Sequence, residues 1–317
     1  MANARVVRVA ELPSGENVVF HDSSFFKNNA GDLPSPEEVR QKDVEINGTN
    51  PRGDRPPPVR FEERGLVVKY GSYITVAEAQ CLWYFNRHMK DEVPTPELFG
   101  WRRDGGETFI YMQLIRGDTL EEAWPSLSEE ERRTICEQLR GYVEAWRELR
   151  QESEPYYIGH IGRQGVGDII FSDHEEPNPG PFAGLGAFHD FFARYASRRR
   201  DPGWNPRRDP DFPELAGLTD DRPVVFTHAD LCRRNIMVSP RDEGGSGSAP
   251  RPRRVVAILD WHQSGWYPID WEWLKAQWMC EPLVDGSGGR DTAWLSQILA
   301  PADENYSYAW EYITSCW

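Results

Sequence analysis

Thr227-His228-Ala229-Asp230-Leu231-Cys232-Arg233-Arg234-Asn235 lies between two short apolar runs, Val224-Val225-Phe226 before it and Ile236-Met237-Val238 after it. A third apolar run, Val255-Val256-Ala257-Ile258-Leu259, ends on Asp260. The order is strand, H-x-D-x-x-x-x-N, strand, loop, strand, Asp. Phosphoryl transfer explains this spacing. A carboxylate has to accept or orient the attacking hydroxyl. A nearby oxygen donor has to hold magnesium, and an Asn does so without adding charge. A further carboxylate has to reach the metal from a separate strand. Five residues from Asp230 to Asn235 let one loop place a base and an amide around one phosphate.

That is the spacing of the kinase catalytic loop. His228-Ala229-Asp230 with Asn235, followed by Ile258-Leu259-Asp260-Trp261, resembles the aminoglycoside phosphotransferase/choline kinase-like family, in which the loop reads H-x-D and the metal Asp lacks the protein-kinase Phe-Gly. Gly265-Trp266-Tyr267-Pro268-Ile269-Asp270-Trp271-Glu272 is similar to the fungal branch of that family. So are Gly65-Leu66-Val67-Val68-Lys69-Tyr70-Gly71 with Glu78-Ala79, and Leu33-Pro34-Ser35-Pro36. The resemblance runs from about residue 33 to 280. It implies an α+β, bilobal protein-kinase-like fold, with a small β-rich N-lobe and a larger, mainly helical C-lobe. It also implies ATP and Mg2+ as cofactors. Carried over by position, Asp230 is the catalytic base and His228 braces its loop. Asn235 and Asp260 hold magnesium. Lys69 contacts the α- and β-phosphates, Glu78 pairs with Lys69, and Gln113 and Leu114 meet adenine through their backbone.

Two departures stand out. No G-x-G-x-x-G precedes Lys69, where only Gly48 and Gly53 are available, and the glycines at 159, 162, 165 and 167 lie far downstream. His262 stands where the fungal branch usually has Glu.

Outward from this segment, the chain changes texture near Arg116-Gly117. Before it, Leu66 to Tyr70 reads as a strand, and Thr108 to Met112 as the return of a hairpin turning at Arg103-Asp104-Gly105-Gly106. Thr75-Val76-Ala77-Glu78 reads as a capping box opening a helix, which alone would explain Glu78. After the boundary, Thr119 starts a short helix. Ser128-Glu129-Glu130-Glu131 opens a long one with Ile135, Leu139, Tyr142, Trp146 and Leu149 on one stripe. Ala187 to Arg200 reads as a further helix. The expected division is therefore 1–115, an extension plus a β-rich nucleotide-binding lobe, and 116–317, a helical catalytic and substrate lobe, with Lys69 facing Asp260. Residues 1–60 read as loop with short elements at best, because of Pro34, Pro36 and the prolines at 56–58. Gly244 to Ser248 reads as a flexible insert within residues 241–253.

Composition narrows the partners. The 317 residues are 39 % hydrophobic and 12 % aromatic, with thirteen Trp, enough for a real core. A net charge of -15 opposes nucleic-acid and anionic-membrane partners and suits a cationic small-molecule hydroxyl acceptor. Five widely spaced cysteines without CxxC argue against a disulfide framework or a zinc ribbon. Neither a signal peptide nor a run of 18 apolar residues is present, so a cytoplasmic protein is expected.

Three functions stay open at this level. The first is an ATP- and Mg-dependent small-molecule phosphotransferase. The second is a repurposed kinase-fold protein, either a non-kinase enzyme or a nucleotide-binding pseudokinase, which the missing glycine loop favours. The third is a metallohydrolase using His228, Asp230, Asp260 and His262 as ligands, which would leave Asn235 and Lys69 unexplained.

Overall fold

A computed structural model describes residues 5–28, 31–48, 56–152, 156–171, 178–197, 204–241, 251–280 and 291–315. The elements in chain order are β1 (Arg5–Val7), β2 (Asn17–Val19), α1 (Ser24–Asn28), α2 (Pro36–Asn47), β3 (Val59–Phe61), β4 (Leu66–Gly71), α3 (Val76–His88), β5 (Leu98–Asp104), β6 (Glu107–Gln113) and β7 (Asp118–Thr119). They continue with α4 (Leu120–Ala123), α5 (Glu129–Arg147), β8 (Leu149–Gln151), α6 (Leu185–Ser197), β9 (Val224–Thr227), β10 (Ile236–Val238), β11 (Val255–Ile258), β12 (Gly265–Pro268), α7 (Trp271–Met279) and α8 (Glu304–Ser315). The chain forms two compact units. One comprises Met1–Val9, Arg132–Arg233 and Gln263–Trp317, and the other Ala10–Glu131 and Arg234–His262.

The second of these units is built on an antiparallel sheet of order β2-β5-β6-β4-β3. Alternation decides its faces. Val59, Phe61, Leu66, Val68, Tyr70, Phe109 and Tyr111 pack into one core with Phe25 and Val39. Arg60, Val67 and Lys69 therefore stand on the other face, because successive strand residues point to opposite sides. The expectation of loop over residues 1–60 fails here. Helix α2 spans 12 residues, and Ser35 and Glu38 form a complete capping box at its start. Pro36 occupies the first turn, where a missing N–H breaks no helical bond. The proline that looked like a breaker is a start signal.

The 115/116 division falls inside this unit, between β6 and β7. Strand β7 stays with the sheet-rich part because it pairs with β10, Met237 opposite Thr119, while β10 pairs with β11. Gly117 permits the approach: its φ is 146°, and a Cβ there would run into the Val238 carbonyl.

The first unit is mainly helical. It holds α6, α7, α8 and all but the first turn of α5, with two small sheets, β9 against β12 and β1 against β8. Helix α5 begins at the expected capping box: Glu131 N–H donates to Ser128 Oγ at 3.2 Å, and Ser128 N–H donates to Glu131 Oε2 at 2.9 Å. Its buried stripe is Ile135, Leu139, Val143 and Trp146. The core gathers Phe171, Phe188, Phe192, Tyr267, Trp271 and Tyr306. The glycine cluster of residues 159–167 has a structural use in this unit: Gly159 bridges to Trp266, and a Cβ on it would meet the Gln164 carbonyl.

Among the described residues no helix is long and apolar enough to cross a membrane. Cys81, Cys136, Cys232 and Cys280 are buried thiols outside any disulfide. Residues 242–250, the core of the expected insert, and Cys316 lie outside the described residues.

Candidate active site

Strand β4 points Lys69 away from the apolar core, and α3 brings Glu78 to it. Lys69 Nζ donates to both Glu78 oxygens at 2.8 Å and to Asp260 Oδ1 at 2.7 Å. The Lys69 and Glu78 side chains are 16 % and 1 % exposed, the Asp260 side chain 40 %. Burial opposes the Lys69 charge, but Asp260 and then Glu78 outweigh it, and the ammonium is held well above its ordinary pKa. The capping box expected at Thr75 does not form, since Thr75 makes no side-chain cap bond. Glu78 spends its oxygens on Lys69 instead. A buried cation 2.8 Å away is a stronger partner than a helix-end N–H that water can serve.

These residues line a cavity of about 390 Å³ together with Val67, Leu82, Met112 and Asn235. The register Leu66↔Gln113 and Val67↔Met112 puts Gln113, Leu114 and Ile115 at the end of the sheet face away from Lys69. Gln113 N–H donates to Glu97 O and Leu114 N–H to Gly65 O, each at 2.9 Å. Those two amides are engaged within the sheet, which leaves the backbone carbonyls of Gln113 and Leu114 for the expected contact with adenine. Among the described residues no backbone carbonyl accepts the Ile115 N–H. Which amides of this stretch are already engaged depends on strand register, which is not readable from residue types.

Asn235 and Asp260 come together because β10 and β11 pair, Ile236 opposite Ile258, and Leu259 N–H donates to Asn235 O at 2.7 Å. Asp260 has φ 61°, an uncommon backbone state for a residue with a Cβ and one that functional sites tend to hold. Trp261 secures the turn: its Nε1 donates to Ile258 O at 3.0 Å, and its ring packs on Phe85. An amide oxygen beside a carboxylate, both oxygen donors lining one cavity, fits magnesium. Among the described residues no group of three or more His, Cys, Asp or Glu is placed to hold a metal ion. His262, next in line, is buried.

Asp230 and His228 belong to the first unit, and the chain leaves that unit between Arg233 and Arg234. His228 and Asp230 are 0 % and 7 % exposed. Between them Ala229 has φ 62°. Glu272 on α7 holds this strained turn, accepting from His228 N–H at 2.7 Å and from Ala229 N–H at 3.0 Å. Asp230 N–H donates to His228 Nδ1 at 3.2 Å. Arg233, in the same loop, is buried and pairs with Asp291 Oδ2 at 2.8 Å rather than standing in solvent.

Glu272 gives a pH prediction. Burial raises its carboxyl to about 7, against the pull of Arg147 and the two amides. A carboxyl raised above its ordinary 4.5 contributes stability that is complete below pH 4.5 and lost as pH rises through about 7. The wild type therefore loses about 3 kcal/mol across that window relative to Glu272→Gln, which carries no titrating group there. Denaturant unfolding of both proteins from pH 4.5 to 7.5 checks this, and a flat difference curve rules it out.

A lysine held by a helix glutamate and by an aspartate at a strand end, beside an asparagine, is the arrangement of kinase-type phosphoryl-transfer sites. A family model described as the phosphotransferase enzyme family matches residues 75–289, well over half of the chain, and the chain belongs to that family. The matched span contains Glu78, Asp230, Asn235 and Asp260, while Lys69 precedes it. With membership goes the α+β, kinase-like fold that the sequence resemblance implied. Among solved structures the chain is similar to an aminoglycoside-3'-phosphotransferase of type VIII, at 15 % identity over 88 % of this chain and 99 % of that one, with a TM-score of 0.48. It is similar to aminoglycoside phosphotransferase APH(3'')-Id from Streptomyces rimosus, at 16 % identity over 88 % and 98 %, TM-score 0.48. The same enzyme in complex with ADP and streptomycin matches at 14 % identity over 88 % and 97 %, TM-score 0.46. No curated protein sequence matches the chain.

Proposed function

We propose that the chain is a cytoplasmic, ATP- and magnesium-dependent phosphotransferase acting on a hydroxyl of a small molecule, within the fungal branch of its family. The observation that carries this is the Lys69–Glu78–Asp260 pairing at 2.7–2.8 Å in a cavity that Asn235 also lines. Glu78 holds Lys69 extended toward the phosphates, and Lys69 neutralises their charge. Asn235 and Asp260 would hold magnesium, which when bound offsets the charge on the transferring phosphoryl group. Gln113 and Leu114 meet adenine through their backbone carbonyls, their amides being engaged in the sheet, and the adjacent Ile115 N–H is the donor left for the base. Asp230 accepts the proton of the attacking hydroxyl at its carboxylate, and His228 fixes the loop by accepting the Asp230 N–H. The net charge of -15 favours an acceptor that carries amines as well as hydroxyls.

A screen of hydroxyl acceptors with ATP and magnesium, read as ADP release, tests the proposal. Release with at least one acceptor, faster with cationic ones, is the expected result. The prolines where a glycine-rich loop is usual favour a second reading, a kinase-fold protein that binds nucleotide without transferring phosphate. Firm Mg-ATP binding with no release from any acceptor selects that reading.

A further inference from the structure

Pro57, Pro58 and Arg60 line the same cavity as Lys69 and Asp260. In kinases a glycine-rich turn covers the phosphates and offers them backbone amides. Residues 56–58 are three consecutive prolines, which have no N–H to give. Whatever they roof, they cannot bind an anion through their backbone. The next residue on that strand face is Arg60. Val59 and Phe61 are buried in the core on one side of the sheet, so Arg60 points to the cavity side. Its register partner is Val67, whose own partner is Met112, and all three line the cavity. Lys69 lies two residues beyond Val67 on the same face, about 7 Å along the strand. A long, flexible arginine spans that offset.

Charge points the same way. The charged residues lining the cavity are Arg60, Lys69, Glu78 and Asp260. Lys69 is committed to both carboxylates, at 2.8 and 2.7 Å. Among the described residues Arg60 makes no hydrogen bond or ion pair. A nucleoside polyphosphate entering the cavity brings several negative charges, and Arg60, which acts electrostatically on Glu122 but among the described residues is in no ion pair, is the cation lining it whose guanidinium N–H groups are not spent on a carboxylate.

We propose that Arg60 binds the phosphates of the nucleotide, in the part that the amides of a glycine-rich turn play in other kinases. This rests on the nucleotide reading of the site. A guanidinium reads phosphate through paired N–H donors, so a lysine replaces it only in part.

The test is binding of ATP, ADP and adenosine to the wild type, Arg60→Met and Arg60→Lys, by calorimetry, with thermal unfolding to confirm that the variants fold. Arg60 is exposed, so the substitutions leave the core intact. Arg60→Met is expected to bind ATP and ADP about tenfold more weakly, with adenosine changed less than about twofold. Arg60→Lys falls between. An equal loss for all three ligands would mean that Arg60 stacks on the base and would overturn the proposal, as would unchanged binding of ATP and ADP. If the wild type binds no nucleotide, the proposed function itself falls; if the wild type binds and Arg60→Met binds equally well, only the role of Arg60 falls.

Discussion

Asp230→Asn loses roughly 10²–10⁴-fold in turnover, the usual worth of a general base, and keeps its affinity for ATP. The substitution leaves the loop in place. What holds the strained Ala229 turn is Glu272, through the amides of His228 and Ala229, and what His228 accepts is the Asp230 N–H; neither uses the Asp230 carboxylate. An Asn also keeps an oxygen for the Cys232 thiol, which donates to Asp230 Oδ1 at 4.0 Å, so the change removes the carboxylate charge and its basicity. Asp260→Ala behaves differently. It removes an oxygen donor fitted to magnesium and one of the two counter-charges of Lys69, so magnesium-dependent ATP affinity and turnover fall together. Nucleotide affinity with and without magnesium, measured beside ADP release for both variants, separates the two roles. Unimpaired ADP release from Asp230→Asn with a verified acceptor removes Asp230 from the mechanism.

The parts of this site legible in the sequence were those written locally. H-x-D-x-x-x-x-N between two apolar runs, and Asp260 at the end of a third, mark a loop and a strand end whatever surrounds them. Lys69 and Glu78 lie nine residues apart, and only the structure decides between a capping box and an ion pair there. Helix α2 was readable too, because Ser35-Pro36-Glu37-Glu38 is a capping box with proline at the first helical position, but the neighbouring prolines drew attention to breaking rather than starting. Other features have no local signature. Glu272 meets His228 from 44 residues away, and nothing in Trp271-Glu272-Trp273 says that the carboxylate faces backbone amides. The cavity-facing side of Arg60 follows only once Val59 and Phe61 are known to be buried.

Lys275→Met destabilises the protein by about 3–5 kcal/mol, although it adds apolar surface to an already apolar helix. Lys275 and Asp168 are both 0 % exposed and meet at 2.6 Å across 107 residues of chain. Nothing is left unserved around them. Trp271 Nε1 donates to Asp168 Oδ2 at 2.8 Å, Ile170 N–H donates to Asp168 Oδ1 at 3.0 Å, and Lys275 Nζ also donates to Gln263 Oε1 at 3.1 Å. Removing the ammonium leaves a carboxylate in the core with amide and indole donors but no counter-charge, which is where the loss comes from. Removing both charges should cost less than the sum. Asp168→Asn/Lys275→Met keeps an oxygen for Ile170 N–H or the indole and buries no ion, so the double variant is expected to fall short of additivity by roughly 0.5–3 kcal/mol. The consequence reaches the His228–Asp230 loop, because Lys275 lies three residues beyond Glu272 on α7, on the same side of the helix. A helix loosened at Lys275 holds the Ala229 turn less firmly, so turnover of Lys275→Met falls at temperatures where the protein is still folded, and the double variant recovers part of it. Denaturant unfolding of the two single variants and the double variant, with ADP release measured on the same samples, decides the matter; additive losses mean that the two side chains are not coupled.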